Sequence, residues 1–336
     1  MMKAHSDRAA AASRADPIKH RGSSFATGLI VFVLLFALVW GTAYYLRDAF
    51  KFIRPGADLV AEAKFDRMAA HNLFAQSSKA RILIFGNSTI LAGFRPDVFD
   101  KAAGHDVQSV NFGLPGETAF LPILSAALKH GNRPTHVLLT ADFPLETAAP
   151  GWGDRLRDDK NTVGTLFPFR SLLRDFTAFA VLSKGRFADE YRVSKKIVDQ
   201  VVGDRGWYFI KSQSHFPNDQ LPGNYSLPTD HPDTRYLRNA ATSSWVFAEL
   251  GRLAKTYKFT VVIVPGNMRR GAFAPVSGQT NRLQILSQNP RIVIAGPDYF
   301  SFPNSRYADP VHLNPAGSAE YSTALAKLLD HLGVLG

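Results

Sequence analysis

A serine, a carboxylate and a histidine are the residues of this chain best placed to do chemistry. The serine lies in Arg81-Ile-Leu-Ile-Phe-Gly-Asn-Ser88-Thr-Ile-Leu-Ala-Gly93. The carboxylate and the histidine lie far downstream in Asp309-Pro-Val-His312. A serine alcohol is a poor nucleophile without a base, and a histidine base works best when a carboxylate orients it. On this reading Ser88 attacks an acyl carbon. His312 takes the serine proton and later returns it to the leaving group. Asp309 holds the imidazole in one tautomer, and the three-residue spacing lets a single turn carry both residues. A second reading of Ser88 is structural, since serine after a Gly turn is a good helix N-cap.

These residues carry a resemblance. The chain resembles the SGNH (GDSL-like) hydrolases over about residues 80–332. Gly86-Asn87-Ser88 is similar to that family's first block, with Asn where Asp is commoner. Asn111-Phe-Gly113-Leu-Pro-Gly116 resembles the second block, whose glycine supplies an oxyanion-hole N–H. Asp309-Pro-Val-His312 resembles the last block, DxxH. The resemblance implies an α/β three-layer sandwich with a five-stranded, mostly parallel sheet, SGNH/flavodoxin-like. The oxyanion donors expected are the backbone N–H groups of Ser88 and Gly113, although Gly113 also reads as an ordinary turn glycine. Asn87, Asn111 and Asp142 are expected to border the cleft. The third block departs from the family. Where many relatives offer an Asn side chain, this chain reads Leu138-Leu-Thr-Ala-Asp142-Phe-Pro144. A carboxylate cannot donate unless protonated. Either another residue donates or the hole has two donors, which suits slow acyl transfer better than vigorous esterase activity.

Elements must bring these residues together. Short apolar runs predict strands at 81–86, 107–112, 135–142, 259–264 and 291–296. Helical patterns lie at 58–78, 119–130, 235–257, 279–288 and 315–332, with another near 183–202. Strands alternating with helices argue for a parallel sheet, and a serine just past a strand's carboxyl end sits where such sheets bind ligands. Residues 144–232 break the alternation as an insertion rich in Pro, Gly and aromatics, including Trp152, Phe167, Phe169, Trp207, Tyr208, Phe209 and Tyr225. Long insertions in compact folds are usually functional, so this one is expected to border the Ser88 cleft, or else to pack its aromatics into a small core of its own.

The 22 residues from Phe25 to Leu46 carry no charge. As a helix they span roughly 33 Å, close to a bilayer core. Trp40, Tyr44 and Tyr45 sit near one end, as an aromatic belt would. No clear small-residue cleavage site follows, so an uncleaved anchor is expected after a 1–24 tail and before a 47–79 linker. Positive charges nearly balance across the span: Arg8, Arg14, Lys19 and Arg21 before it, Arg47, Lys51, Arg54 and Lys64 after it. The resemblance, not the charge count, places the tail in the cytoplasm and residues 47–336 outside it, at a cell inner membrane with the domain in the periplasm.

Composition narrows the function. Hydrophobic residues make up 46% and charged residues 20%, so the bulk is globular. Absence of cysteine removes disulfides, thiolate metal sites and a Cys nucleophile. The net charge of +11 comes without a basic run or a nucleic-acid motif, so no nucleic-acid partner is expected. No cofactor and no metal are expected. Membrane-anchored relatives in alginate acetylation and lipoteichoic-acid D-alanylation imply acyl transfer or deacylation on a cell-envelope or exported polysaccharide. A separate multi-span membrane acyltransferase would be the partner and a glycan the acceptor. The alternative is a weak or inactive module that binds glycan or scaffolds an envelope assembly.

Overall fold

The computed structural model describes residues 18–49, 51–53, 56–69, 73–75, 77–104, 106–115, 120–140, 169–209, 214–236, 245–275, 291–297 and 299–335. The chain divides into two compact units, residues 1–51 with 156–174, and residues 52–155 with 175–336.

The first unit contains helix α1 (Ile18–Ala49). Within it Ser24–Leu46 has a mean hydropathy of 2.3, and every residue from Ser24 to Val39 is exposed. The helix is long and apolar enough to cross a membrane, as a single-pass anchor or a signal sequence would be. Trp40 and Tyr44 stack at 5.6 Å near its carboxyl end.

The second unit is built on a sheet of β1 (Ala80–Gly86), β2 (Val107–Gly113), β3 (His136–Thr140), β5 (Thr260–Val264) and β8 (Ile292–Ile294). All neighbours pair in parallel, in the order β2-β1-β3-β5-β8. Counted by their sequence within the sheet, the strands lie 2-1-3-4-5. Such an order reverses direction beside β1, which makes the carboxyl end of β1 the expected ligand crevice.

Side-chain alternation explains why both faces are covered. Leu83, Phe85, Val110, Phe112, Val137, Leu139, Val261 and Ile263 point to one face. They pack under α5 (Phe120–Lys129) and α8 (Trp245–Tyr257), with Ala61 and Phe65 of α2 (Gly56–Ala69) alongside. Ile82, Ile84, Leu138, Val262 and Val264 point to the other face. There they meet Ile90 of α3 (Ser88–Gly93), Phe99 of α4 (Pro96–Ala103) and Tyr321, Leu325 and Leu329 of α9 (Pro315–His331). A strand buried on both faces must be apolar throughout, which is why β1 reads as a continuous hydrophobic run.

The insertion contributes α6 (Phe169–Ser183), of which the part from Asp175 belongs to this unit, and α7 (Phe187–Gly203). Two small parallel pairs, β4 (His231–Tyr236) with β7 (Phe273–Pro275) and β6 (Gly266–Arg269) with β9 (Tyr299–Phe302), complete the unit.

Several expected elements shift. Of the helix expected over 235–257, residues 245–257 are helical, residues 235–236 belong to strand β4 instead, and residues 237–244 lie outside the described residues. At the expected start Thr234 is a poor helix former, and pairing with β7 takes the strand. The linker helix stops at Ala69 rather than 78, and Ser77 and Ser78 lie outside it. Helix α6 was not anticipated, although Leu172, Phe176 and Phe179 recur at helical spacing. The 279–288 helix, the end of the third strand at 141–142 and residues 144–168 lie outside the described residues.

Candidate active site

Ser88 is delivered by a tight turn at the end of β1. Gly86 and Gly113 are register partners on adjacent strands. A Cβ on Gly113 would collide with the backbone of α3 at Ile90 C, 2.9 Å, and still closer with Leu91 N. A Cβ on Gly86 would collide with the Ile90 side chain. The absence of both side chains lets α3 sit directly on the strand ends. The cap of α3 is Asn87, not Ser88. Asn87 Oδ1 accepts from Thr89 N at 2.9 Å and Thr89 Oγ1 at 2.7 Å. With capping done by its neighbour, the Ser88 hydroxyl is released for another partner. Asn87, partly exposed beside Ser88, thus has a structural task as well.

Asp309 and His312 sit on a pinched loop. Tyr307 and Leu313 form an antiparallel bridge at its base, and Ala308 N donates to His312 O at 2.9 Å. Both bridge residues are buried, at 1% and 0% exposure, so the loop is fixed in the core at each end. Asn314 then caps α9 through Oδ1 to Gly317 N, 2.9 Å, with Pro315 in the first turn. Its Nδ2 donates to Asp219 O and Ser305 O, both at 2.9 Å.

The structure brings the three residues into one hydrogen-bonded chain. His312 Nε2 lies 2.9 Å from Ser88 Oγ, and His312 Nδ1 lies 2.7 Å from Asp309 Oδ2. A carboxylate only accepts, so Nδ1 must carry the proton, and Nε2 of the neutral ring then accepts from the serine hydroxyl. Asp309 Oδ1 is held by the N–H groups of Val311 at 2.9 Å and His312 at 2.8 Å. Burial alone pushes the Asp309 carboxyl up. The hydrogen bond from the His312 ring and the two backbone N–H bonds outweigh it and hold the carboxyl below its ordinary range. The charge that would stabilise an imidazolium is therefore secure. All three side chains are partly exposed, so a substrate can reach them.

Of the two expected oxyanion donors, one is engaged elsewhere. Ser88 N–H, in the first turn of α3, has no acceptor among the described residues. Gly113 N–H is already given to Asn111 Oδ1 at 2.8 Å and is not free to meet an oxyanion. Gly116, the next glycine of that block, and Asp142 lie outside the described residues. Asn111, expected to border the cleft, lies in the core instead. It is fully buried, and its Nδ2 donates to Phe94 O at 2.7 Å and Ile90 O at 2.8 Å, with Leu91 O at 3.3 Å. Its side chain locks β2 to the end of α3.

Beneath this lock lies a residue that sequence reasoning misread. Lys64 of α2 was counted with the positive charges after the apolar span, yet it is 1% exposed. Its Nζ donates to Gly113 O and reaches Asn111 Oδ1 at 3.4 Å. Burial without a carboxylate partner pushes the ammonium pKa well below 10.5. The signal was its spacing from Val60, one helical turn earlier on the same buried face.

The described part of the insertion braces both halves of the site. Arg205 O accepts from Asn111 N at 2.9 Å, and Tyr208 N donates to Leu91 O at 3.2 Å. Trp207 Nε1 donates to Ala92 O at 2.8 Å. Arg205 pairs with Asp100 of α4. On the other side Ser214 Oγ donates to Ala308 O at 2.8 Å, and Leu221 N donates to Tyr307 O at 2.9 Å. The aromatics do not form an open platform here. Tyr208 and Phe209 are buried, and Tyr225 packs edge-on against Phe216. Trp152 and Phe167 lie outside the described residues. Among the described residues no three His, Cys, Asp or Glu side chains gather as metal donors.

No family model, curated protein or solved structure matches the chain.

Proposed function

We propose that this protein is a membrane-anchored serine acyltransferase or esterase of the SGNH kind, with an SGNH/flavodoxin-like domain outside the cytoplasm. The supporting observation is the unbroken relay from Ser88 Oγ through His312 to Asp309, at 2.9 and 2.7 Å. Those distances are within the range for proton transfer in a nucleophile–base pair. In the proposed reaction Ser88 Oγ adds to an ester carbonyl while His312 Nε2 takes its proton. The oxyanion forms against Ser88 N–H. Collapse breaks the ester bond, and the leaving alcohol takes the proton from His312. An acyl-serine remains, and a second hydroxyl, from water or a glycan, attacks it by the reverse route. The acyl group is an O-acetyl or similar ester on a cell-envelope or exported polysaccharide. A multi-span acyltransferase in the same membrane is the proposed donor.

A second reading has its own observation. With Gly113 N–H engaged by Asn111, the described site offers one free oxyanion donor. Loss of a single donor costs on the order of 3 kcal/mol in the barrier. A module that binds glycan with little turnover would tolerate that loss. A fluorophosphonate probe separates the two. Labelling of the full chain that disappears in Ser88→Ala and in His312→Ala supports the enzyme. An unlabelled chain that still binds polysaccharide supports the module.

A further inference from the structure

The tip of the α6–α7 hairpin carries a combination that packing accounts for only in part, through the stacking of Phe187 on the buried Phe179 at 6.1 Å. Val181 and Leu182 end α6, and Phe187 opens α7. They are 69%, 58% and 50% exposed, which water does not favour for side chains of this size. Between them stand Lys184 and Arg186, both exposed and without a carboxylate partner among the described residues. The nearest acids, on the first turn of α7, are Asp189, which pairs with Arg192, and Glu190.

The turn is already formed. Lys184 N donates to Val181 O at 3.3 Å, and Arg186 N donates to Ser183 O at 2.8 Å. Lys184 and Gly185 hold left-handed φ values of 48° and 83°. Ser183 Oγ is turned inward to Ala180 O at 3.0 Å. Presenting the three apolar side chains therefore requires no further ordering of the backbone.

We infer that this tip docks on an anionic lipid surface, with Val181, Leu182 and Phe187 entering the headgroup–acyl boundary while Lys184 and Arg186 meet phosphates. Apolar side chains interleaved with unpaired cations suit that interface. A protein partner fits less well, because the cores of protein interfaces are depleted in lysine. Chain length keeps a bilayer close. Only Arg47 to Lys51 separate the apolar span from the first residue of the sheet unit. The inference rests on that span being retained as an anchor.

The chain has no cysteine, so single-cysteine labelling is clean. The full chain carrying Leu182→Cys, or Lys327→Cys at an exposed position of α9 as control, is labelled with an environment-sensitive dye. Each is reconstituted in phosphatidylcholine vesicles with or without phosphatidylglycerol, using brominated acyl chains as quencher. The expected result is a blue shift and quenching at 182, not at 327, that strengthens with phosphatidylglycerol. Lys184→Gln and Arg186→Gln should each weaken docking by about fivefold. Identical dye behaviour at 182 and 327 in vesicles that float with the protein would overturn the tip and leave the anchor standing. Protection at 182 only after membrane proteins are added would assign the surface to a protein instead. Failure to float with either vesicle would overturn both.

Discussion

Replacing Lys64 with methionine tests whether a neutral amine lies beneath the site. In the folded chain the amine is buried against Gly113 O and Asn111 Oδ1, and its pKa falls well below 10.5. The unfolded chain keeps an ordinary lysine. Between the two pKa values the unfolded state binds one proton more than the folded state. Stability must then rise with pH across that window, by about 1.4 kcal/mol per pH unit for one full proton. The gain is complete above 10.5 and is lost as pH falls toward the folded value. Lys64→Met removes this slope. It also leaves Gly113 O without its donor, which costs about 1–3 kcal/mol, and relieves the burial of an amine. The two terms oppose, so the variant can match the wild type near neutrality, but the difference cannot stay constant with pH. The assay is urea unfolding of the detergent-solubilised full chain, wild type against Lys64→Met, from pH 7 to about 9.5. Tyr208 and Tyr307, whose pKa values burial raises, are common to both proteins and cancel in the difference. The wild type should gain on the variant as pH rises. A flat difference would mean that Lys64 stays charged or exposed, and the account of its burial would be wrong.

Gly113→Ala should force α3 off the strand ends, because the added Cβ meets helix backbone and not a side chain that can turn away. It should cost about 1–3 kcal/mol by thermal unfolding and slow fluorophosphonate labelling about 100-fold through displacement of Ser88. Asp309→Asn should be severe despite its shape. Two backbone N–H groups hold Oδ1, so the amide NH2 must face His312 Nδ1 and drive the ring into the wrong tautomer. A loss of about 10⁴-fold in turnover is expected. Ser88→Ala and His312→Ala should each remove most acyl chemistry, and the double variant should be little worse than either in single-turnover assays. Both singles should keep the wild-type melting temperature, since neither side chain belongs to the core.

Much of the sheet was legible because its strands are buried on both faces and read as apolar runs from Ile82 to Phe85 and from Val261 to Val264. Asp309 and His312 were legible because three-residue spacing is local. Other parts resist sequence reading for physical reasons. Lys64 looks like a surface charge because its burial depends on α7 and β2, remote in sequence. Gly113 carries no sign of whether its N–H faces the cleft or an asparagine side chain two residues earlier. Ser88 and Asn87 are both good caps, and only the fold decides which one caps. The short strands β4, β6, β7 and β9 take their partners from distant segments, so their identity is set by pairing more than by local preference.

The central claim is that Ser88 forms a covalent acyl intermediate. The most direct measurement is intact-mass and peptide mass spectrometry of the full chain, quenched in acid within the first turnover of p-nitrophenyl acetate. The account predicts a single added acetyl group on the peptide containing Ser88, formed with a burst of p-nitrophenol and absent in Ser88→Ala. An acetyl group on another residue, or ester cleavage at the wild-type rate in Ser88→Ala, would contradict it.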